Sequence, residues 1–211
     1  MQDEEVCQKI ELLINFLKNT YGYIDWWPGT PDEIIIGSIL TQQTKWKNVE
    51  NAILNLREQN ISSLKDINNA SFESIGEAIK CTGFYRLKTD RLKELSHFIL
   101  SVYVSAENMK NIPTDVLRKE LLSIKGVGPE TADSILCYGL SKNSFVIDAY
   151  TEKICKCADI LVKKSDLKSL FEKVLPESNM DYRTCHAWFV EYGKEYCTNK
   201  RCDECKIRNL R

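Results

Sequence analysis

Four groups of residues in this chain are of types and at spacings that can do chemistry. The first is Gly126-Val127-Gly128-Pro129, set between apolar helical runs that contain Leu121 and Leu122 on one side and Ile135 and Leu136 on the other. Glycine lets a backbone turn sharply and approach another molecule closely, while Val127 can anchor the turn in a core. Proline suits the first turn of a helix, whose free N–H groups can bind phosphate. The glycine pair by itself fits an ordinary helix-to-helix turn equally well. The second group is aromatic: Asp25-Trp26-Trp27-Pro28 and Trp46 place three of the four tryptophans in the first quarter of the chain. Two adjacent indoles cannot both point inward from a regular helix, so one is expected to face a cleft. An indole face there attracts a cation by about 0.5–2 kcal/mol.

The third group is Asp148, within Phe145-Val146-Ile147-Asp148-Ala149-Tyr150-Thr151. Aspartate at this place can cap a helix beginning at Ala149, a role that fixes the carboxylate rigidly. The fourth is Cys197, Cys202 and Cys205, crowded into the last fifteen residues, whereas Cys7, Cys81, Cys137, Cys155, Cys157 and Cys185 are scattered. Only the crowded set suggests a metal; the others are expected to be reduced core thiols. His97 and His186 have no metal-ligand spacing and read as packing or surface residues.

The elements that must position these groups are helices. Apolar residues recur at helical spacing in Val6-Ile10-Leu13-Ile14-Leu17, in Val49-Ile53-Leu54-Leu56 and in Leu87-Leu92-Leu95-Ile99. Breaks fall at Gly22 to Pro31, Cys81 to Gly83, Asn111 to Thr114, Gly126 to Gly128 and Leu175-Pro176, which leaves about ten short helices. Thr114 or Asp115 is expected to cap the helix before the glycine turn. Ser144 to Ile147 is too short and isolated to make a sheet. The fold class is therefore all-α. Arg86, Lys88, Arg91 and Lys93 form a basic stretch interrupted by Asp90 and Glu94, which fits a solvated helix face or a phosphate contact alike.

Bulk properties remove whole classes. With 211 residues and 43% hydrophobic content the chain can bury an ordinary core, so overall disorder is excluded. The longest apolar run, Ile34 to Leu40, falls far short of the roughly 20 residues of a membrane helix. The acidic start, Gln2-Asp3-Glu4-Glu5, is unlike a secretory signal, so the chain is expected to stay in the cytosol, at the nucleoid in a prokaryote. A net charge of -1 means that any site for a polyanion is a local basic surface.

The hairpin from Leu121 to Leu136, followed by Val146-Ile147-Asp148, resembles the endonuclease III branch of the helix-hairpin-helix DNA glycosylases. The likeness continues through Leu40-Thr41-Gln42-Gln43-Thr44, through Gly83-Phe84-Tyr85-Arg86-Leu87-Lys88 and through the cysteine tail. Trp-Trp-Pro with Thr-Gln-Gln-Thr-Lys-Trp downstream looks most like the 3-methyladenine DNA glycosylase members. The resemblance implies two helical lobes with a DNA-facing cleft: residues 24–142, including the hairpin at about 114–138, and residues 1–23 with 143–211. The implied activity is base excision from double-stranded DNA carrying a damaged base, by a protein expected to act as a monomer.

The same resemblance implies roles. Asp148 is the implied catalytic residue, stabilising positive charge on the sugar and directing water to C1′. Trp26, Trp27, Pro28, Trp46 and Glu130 are the implied base pocket, since such enzymes stack a flipped base between aromatic side chains. Lys125, Gly126, Val127, Gly128 and Thr131 form the implied DNA-binding hairpin, with Gln42 or Gln43 filling the gap left by the flipped base and Lys200 and Arg201 reaching phosphate. The tail resembles an iron–sulfur loop whose relatives bind a 4Fe-4S cluster through four cysteines. Here three cysteines are present and Arg211 stands at the fourth position, so a cluster, a zinc ion and a metal-free remnant all stay open. Glu130 stands where bifunctional relatives place a nucleophilic lysine, which favours a monofunctional alkylpurine glycosylase. The alternatives are a bifunctional glycosylase and lyase acting on oxidised pyrimidines, and a noncatalytic DNA-binding module.

Overall fold

The computed structural model describes residues 2–24 and 26–210; Asp25, at the head of the tryptophan pair, and Arg211, at the fourth ligand position, lie outside the described residues. Among the described residues every regular element is helical. In chain order these are α1 (Gln2–Tyr21), α2 (Pro31–Leu40), α3 (Trp46–Glu58), α4 (Leu64–Asn69), α5 (Phe72–Ala78), α6 (Tyr85–Tyr103), α7 (Ala106–Met109), α8 (Thr114–Ser123), α9 (Pro129–Ser134), α10 (Ala149–Cys157), α11 (Lys164–Val174) and α12 (Asn179–Tyr192). None is long and apolar enough to cross a membrane. The chain divides into two compact units, one of Trp27–Lys142 and one of Met1–Trp26 with Asn143–Arg211.

The unit of Trp27–Lys142 is built around α2. Its start is set by a capping box in which Thr30 Oγ1 accepts from the Glu33 N–H and Glu33 Oε2 accepts from the Thr30 N–H, with Pro31 in the first turn. From there Ile35, Ile36, Ile39 and Leu40 are buried among Val49, Leu92, Leu95, Ala132, Ile135 and Leu136. A side chain at Gly139 would meet Ile35 Cγ1 at 3.3 Å, so the π-helical turn Ile135–Gly139 lies close against α2. The cap expected from Thr114 or Asp115 does not form: Thr114 is already the first residue of α8, and Pro113 occupies the cap position without a side-chain hydrogen bond.

Cations that in the sequence fit a solvated face or a phosphate contact alike mostly tie this unit together. Lys88 is buried, donating to the carbonyls of Leu40 and Thr82 at 2.9 Å each, and burial lowers its pKa to about 8. Lys93 donates to the carbonyls of Asn68 and Ala70. Arg91 donates to Gln42, and only Arg86 of the four stands exposed. Long aliphatic stems let such residues run through apolar surroundings while the charged end meets carbonyls at chain breaks.

In the second unit α1 buries Ile10, Leu13 and Leu17, and α11 and α12 bury Phe171 and Phe189. Phe145 stacks on Phe171 at 4.6 Å between ring centres, and Phe171 meets Phe189 edge to face at 5.4 Å. Trp188 Nε1 donates to the Gly22 carbonyl at 2.6 Å, satisfying the end of α1.

Candidate active site

In the unit of Trp27–Lys142, Trp27, Pro28 and Trp46 line one cavity of about 560 Å³, together with Glu33, Gly37, Val49, Glu50 and Arg57. Trp27 has a left-handed backbone, with φ of 65°, which turns its indole back over α2. The ring lies on Gly37, where an added Cβ would come within 3.1 Å of Trp27 Cζ2, so the glycine makes the seat for the indole. Trp46 meets Trp27 edge to face at 5.2 Å and 83°, and Tyr138 backs Trp27 at 5.4 Å. Trp46 Nε1 donates to Glu50 at 3.0 Å, which fixes the second indole. At the rim Arg57 pairs with Glu33 and holds that carboxyl below its usual range. Trp26 belongs to the other unit: Lys194 Nζ sits 4.1 Å from its ring centre, and its carbonyl accepts from Arg183. Glu130 stands exposed in the first turn of α9 and does not line the cavity.

The hairpin is α8, residues 124–128 and α9. Gly126 has φ of 88°, and a Cβ there would fall 2.4 Å from Arg91 Nε, so conformation and crowding both require glycine. Val127 is buried beneath the turn. Gly128 is extended and a Cβ added there would meet nothing within 4 Å, leaving the start of α9 open to approach, with Lys125 exposed nearby. Gln42 braces the turn from a distant segment: its Nε2 donates to the Gly126 carbonyl and to Thr131 Oγ1 at 3.0 Å each, while its Oε1 accepts from Arg91. Gln43 stands exposed beside it with φ of 53°. The sequence reading missed a further support: Arg118 on α8 donates to both oxygens of the buried Asp133 on α9, at 2.8 and 3.1 Å. Its only signal in the sequence is an acid on the apolar side of α9.

In the other unit Asp148 is the N-cap of α10. Its Oδ1 accepts from the Thr151 N–H and Oγ1–H, both at 2.7 Å, so one oxygen is bound and the side-chain torsion set. Its Oδ2 lies 3.8 Å from Nε2 of His186, which is buried on α12. Sequence reasoning put His186 among packing or surface residues; its signal was a single histidine inside the apolar run Cys185 to Val190.

The tail ends in short turns, Gly193–Thr198, Cys202–Glu204 and Lys206–Asn209. Cys202 is exposed, Cys197 and Cys205 are half-buried, and the Tyr192 hydroxyl is 3.4 Å from Cys205 Sγ. Among the described residues no three side chains of metal-binding type gather into a set, so these thiols, as arranged, do not fit a four-ligand group. Cys185 is sealed in the core, where burial pushes its thiol up. Lys200 is exposed with a left-handed backbone, whereas Arg201 is paired with Glu204 at 2.6 Å and with Glu195 at 3.6 Å.

A helical unit holding a braced glycine hairpin, followed by a capping aspartate at the next helix, defines a helix-hairpin-helix protein. The chain belongs to the HhH-GPD superfamily of base excision DNA repair proteins, whose family model matches residues 36–177. It is 42% identical over 214 residues to a Methanocaldococcus jannaschii protein named "Putative DNA repair glycosylase", covering 98% of this chain and 97% of that one. The structure of H. pylori 3-methyladenine DNA glycosylase bound to 1,N6-ethenoadenine superposes with a TM-score of 0.78 at 30% identity, over 87% of this chain and 96% of that one. A non-covalent complex of endonuclease III with DNA shares the fold, with a TM-score of 0.79 at 19% identity over 97% and 94% of the two chains. The protein is a base excision repair DNA glycosylase, a hydrolase of N-glycosyl bonds.

Proposed function

We propose that the enzyme is a monofunctional glycosylase for alkylated purines such as 3-methyladenine, acting on double-stranded DNA. The observation that carries this reading is the pair of crossed indoles, Trp27 and Trp46, on a cavity of about 560 Å³. A base alkylated at N3 or N7 is a cation, and indole faces attract a desolvated cation by up to about 2 kcal/mol. Glu33 and Glu50 line the same cavity, paired with Arg57 and Lys47 at its edge. The volume lies within the range of about 300–1,000 Å³ usual for small-molecule sites. The ethenoadenine-bound H. pylori relative supports a purine as the base.

Asp148 is the catalytic group in this reading. Its Oδ2 is the oxygen left by the helix cap, and a carboxylate held in one orientation stabilises a developing sugar cation and accepts a proton from attacking water. Departure of an alkylated base relieves its own charge, so extrusion, stacking and a positioned carboxylate suffice without a covalent step. Glu130 supports this, because a carboxylate cannot form the imine that a lysine forms with C1′. Gly128, Lys125 and Lys200 are the proposed phosphate contacts, with the exposed Gln43 filling the space of the flipped base.

The test is base release from duplexes bearing 3-methyladenine, 7-methylguanine, thymine glycol or no lesion. Release from the methylated purines, with strand breaks only after alkali or heat and no protein–DNA adduct under borohydride, is the expected result. Efficient borohydride trapping on thymine glycol would instead assign the chain to the lyase class.

A further inference from the structure

We infer that His186 is a positioning residue for Asp148: its imidazole, buried on α12, faces the one carboxylate oxygen that the helix cap leaves open and holds that oxygen in place. The inference rests on the reading of Asp148 as the catalytic carboxylate. Three observations meet at this point. Thr151 takes Oδ1 through two hydrogen bonds of 2.7 Å, so Asp148 can turn only about that anchored oxygen. His186 Nε2 is 3.8 Å from Oδ2, just beyond hydrogen-bonding distance. The imidazole is 5% exposed, so water does not compete for Asp148 on that side.

The charge state of the ring follows from its surroundings. Burial lowers the imidazole pKa below its usual value, and Asp148 pulls it the other way, with burial the larger influence. On the elements packed against α12, Glu152 of α10 pairs with Lys164. On α10, burial raises the Cys155 thiol to about 12, and on α12 itself the Cys185 thiol is raised too. α1 contributes the apolar Ile10, Leu13 and Leu17, with Tyr21 hydrogen-bonded to Glu195. In the turn Gly193–Thr198, Lys194 is paired with Glu191 and lies over Trp26.

A neutral imidazole presents an N–H dipole to Oδ2 without cancelling the carboxylate charge. A protonated one would cancel much of it and weaken the attraction for a sugar cation. The buried histidine thus orients Asp148 and leaves its full charge for the reaction. Catalytic hydrogen bonds are often long in a free enzyme and shorten when substrate binds, which accords with 3.8 Å here.

The test uses the full chain, single-turnover base release from duplex DNA methylated with dimethyl sulfate, and a pH series from 5 to 8.5. His186→Leu removes the donor, and His186→Gln keeps an N–H near the position of Nε2. His186→Leu should slow release about 10- to 50-fold with DNA affinity unchanged, because Oδ2 of Asp148 loses the group that orients it. His186→Gln should restore the rate to within about threefold. Equal slowing by both variants at every pH would overturn the inference in favour of packing.

A second measurement needs no histidine variant to fold. The chain has only two histidines, so ring nitrogen resonances of His186 are assigned by difference against His97→Gln. In Asp148→Asn the His186 Nε2 resonance should shift and its pKa should fall further; an unchanged resonance would overturn the pairing. If Asp148→Asn retains full activity while the resonance shifts, the pairing stands and the catalytic reading of Asp148 fails.

Discussion

The glycine hairpin and the cysteine tail both carry motifs that stand out in the sequence, and the structure treats them differently. In the hairpin, Gln42 reaches Gly126 and Thr131 from far along the chain and is itself held by Arg91, and Arg118 ties α8 to Asp133 on α9. In the tail, Arg201 pairs with its near neighbours Glu204 and Glu195 and Lys194 with Glu191, while Tyr21 and Trp26 reach Glu195 and Lys194 from far along the chain. Long-range bracing makes a turn rigid because several independent segments must move together to release it. Local pairs on a surface contribute about 0–1 kcal/mol and hold little beyond themselves. A motif marks a site when the rest of the fold is built to hold it.

The largest expected effect falls on Asp148. Asp148→Asn should slow base release by about two orders of magnitude or more, the scale of losing a positioned acid–base or electrostatic group. Thermal stability should stay within about 1 kcal/mol of the parent, since asparagine caps helices about as well as aspartate. Single-turnover kinetics and a melting curve separate the two, and an unchanged rate would remove Asp148 from the chemistry.

Next come the indoles. Trp46→Ala should weaken release of cationic methylated purines about 3- to 30-fold more than release of a neutral lesion, which is the cation–π contribution expressed as a ratio. Equal losses on both substrates would reduce Trp46 to a packing residue. Trp27→Ala should show the same bias with a larger loss of stability, because Trp27 also fills the seat on Gly37 and contacts Tyr138.

The comparison of hairpin and tail is tested directly by two alanines. Gln42→Ala removes two hydrogen bonds to the turn and should weaken duplex binding about tenfold, at roughly 0.5–1.5 kcal/mol for each bond. Arg201→Ala removes a half-buried, locally paired charge and should change binding less than about twofold. Fluorescence anisotropy at fixed salt measures both, and the reverse ranking would break the contrast.

The smallest effect is on stability against pH. His186 has a lowered pKa when folded, so below about 6.5 the unfolded chain takes up more protons than the folded one and stability falls as pH falls. For one proton the slope is at most about 1.4 kcal/mol per pH unit. Denaturant melts at pH 7.5 and 5.5 should show this loss, and His186→Gln should reduce it.

The helices were legible because apolar spacing is a local property: Ile10, Leu13 and Leu17, or Leu92, Leu95 and Ile99, are buried where their periodicity predicts. The turn at Gly126 was legible for a similar reason, since few residues other than glycine adopt its backbone. The cap at Asp148 lies three residues from its partner and also shows in one dimension. The helix start at Thr114 was misread because Thr and Asp there are cap formers by type, and Pro113 already holds the preceding backbone extended.

What the chain's order of residues determined by itself was the set of helices, the hairpin and the family to which they belong. Only tertiary structure decided which polar groups serve the site. Lys88, Arg91 and Lys93 fitted a solvated helix face or a phosphate contact alike, and in the fold each end meets a carbonyl or amide that arrives from another segment. Gln42 became a brace, Trp27 gained a glycine seat, and His186 came to stand 3.8 Å from Asp148 across 38 positions of sequence. The physical reason is that apolar burial follows local periodicity, whereas a polar side chain takes its role from the particular partner that folding brings within reach.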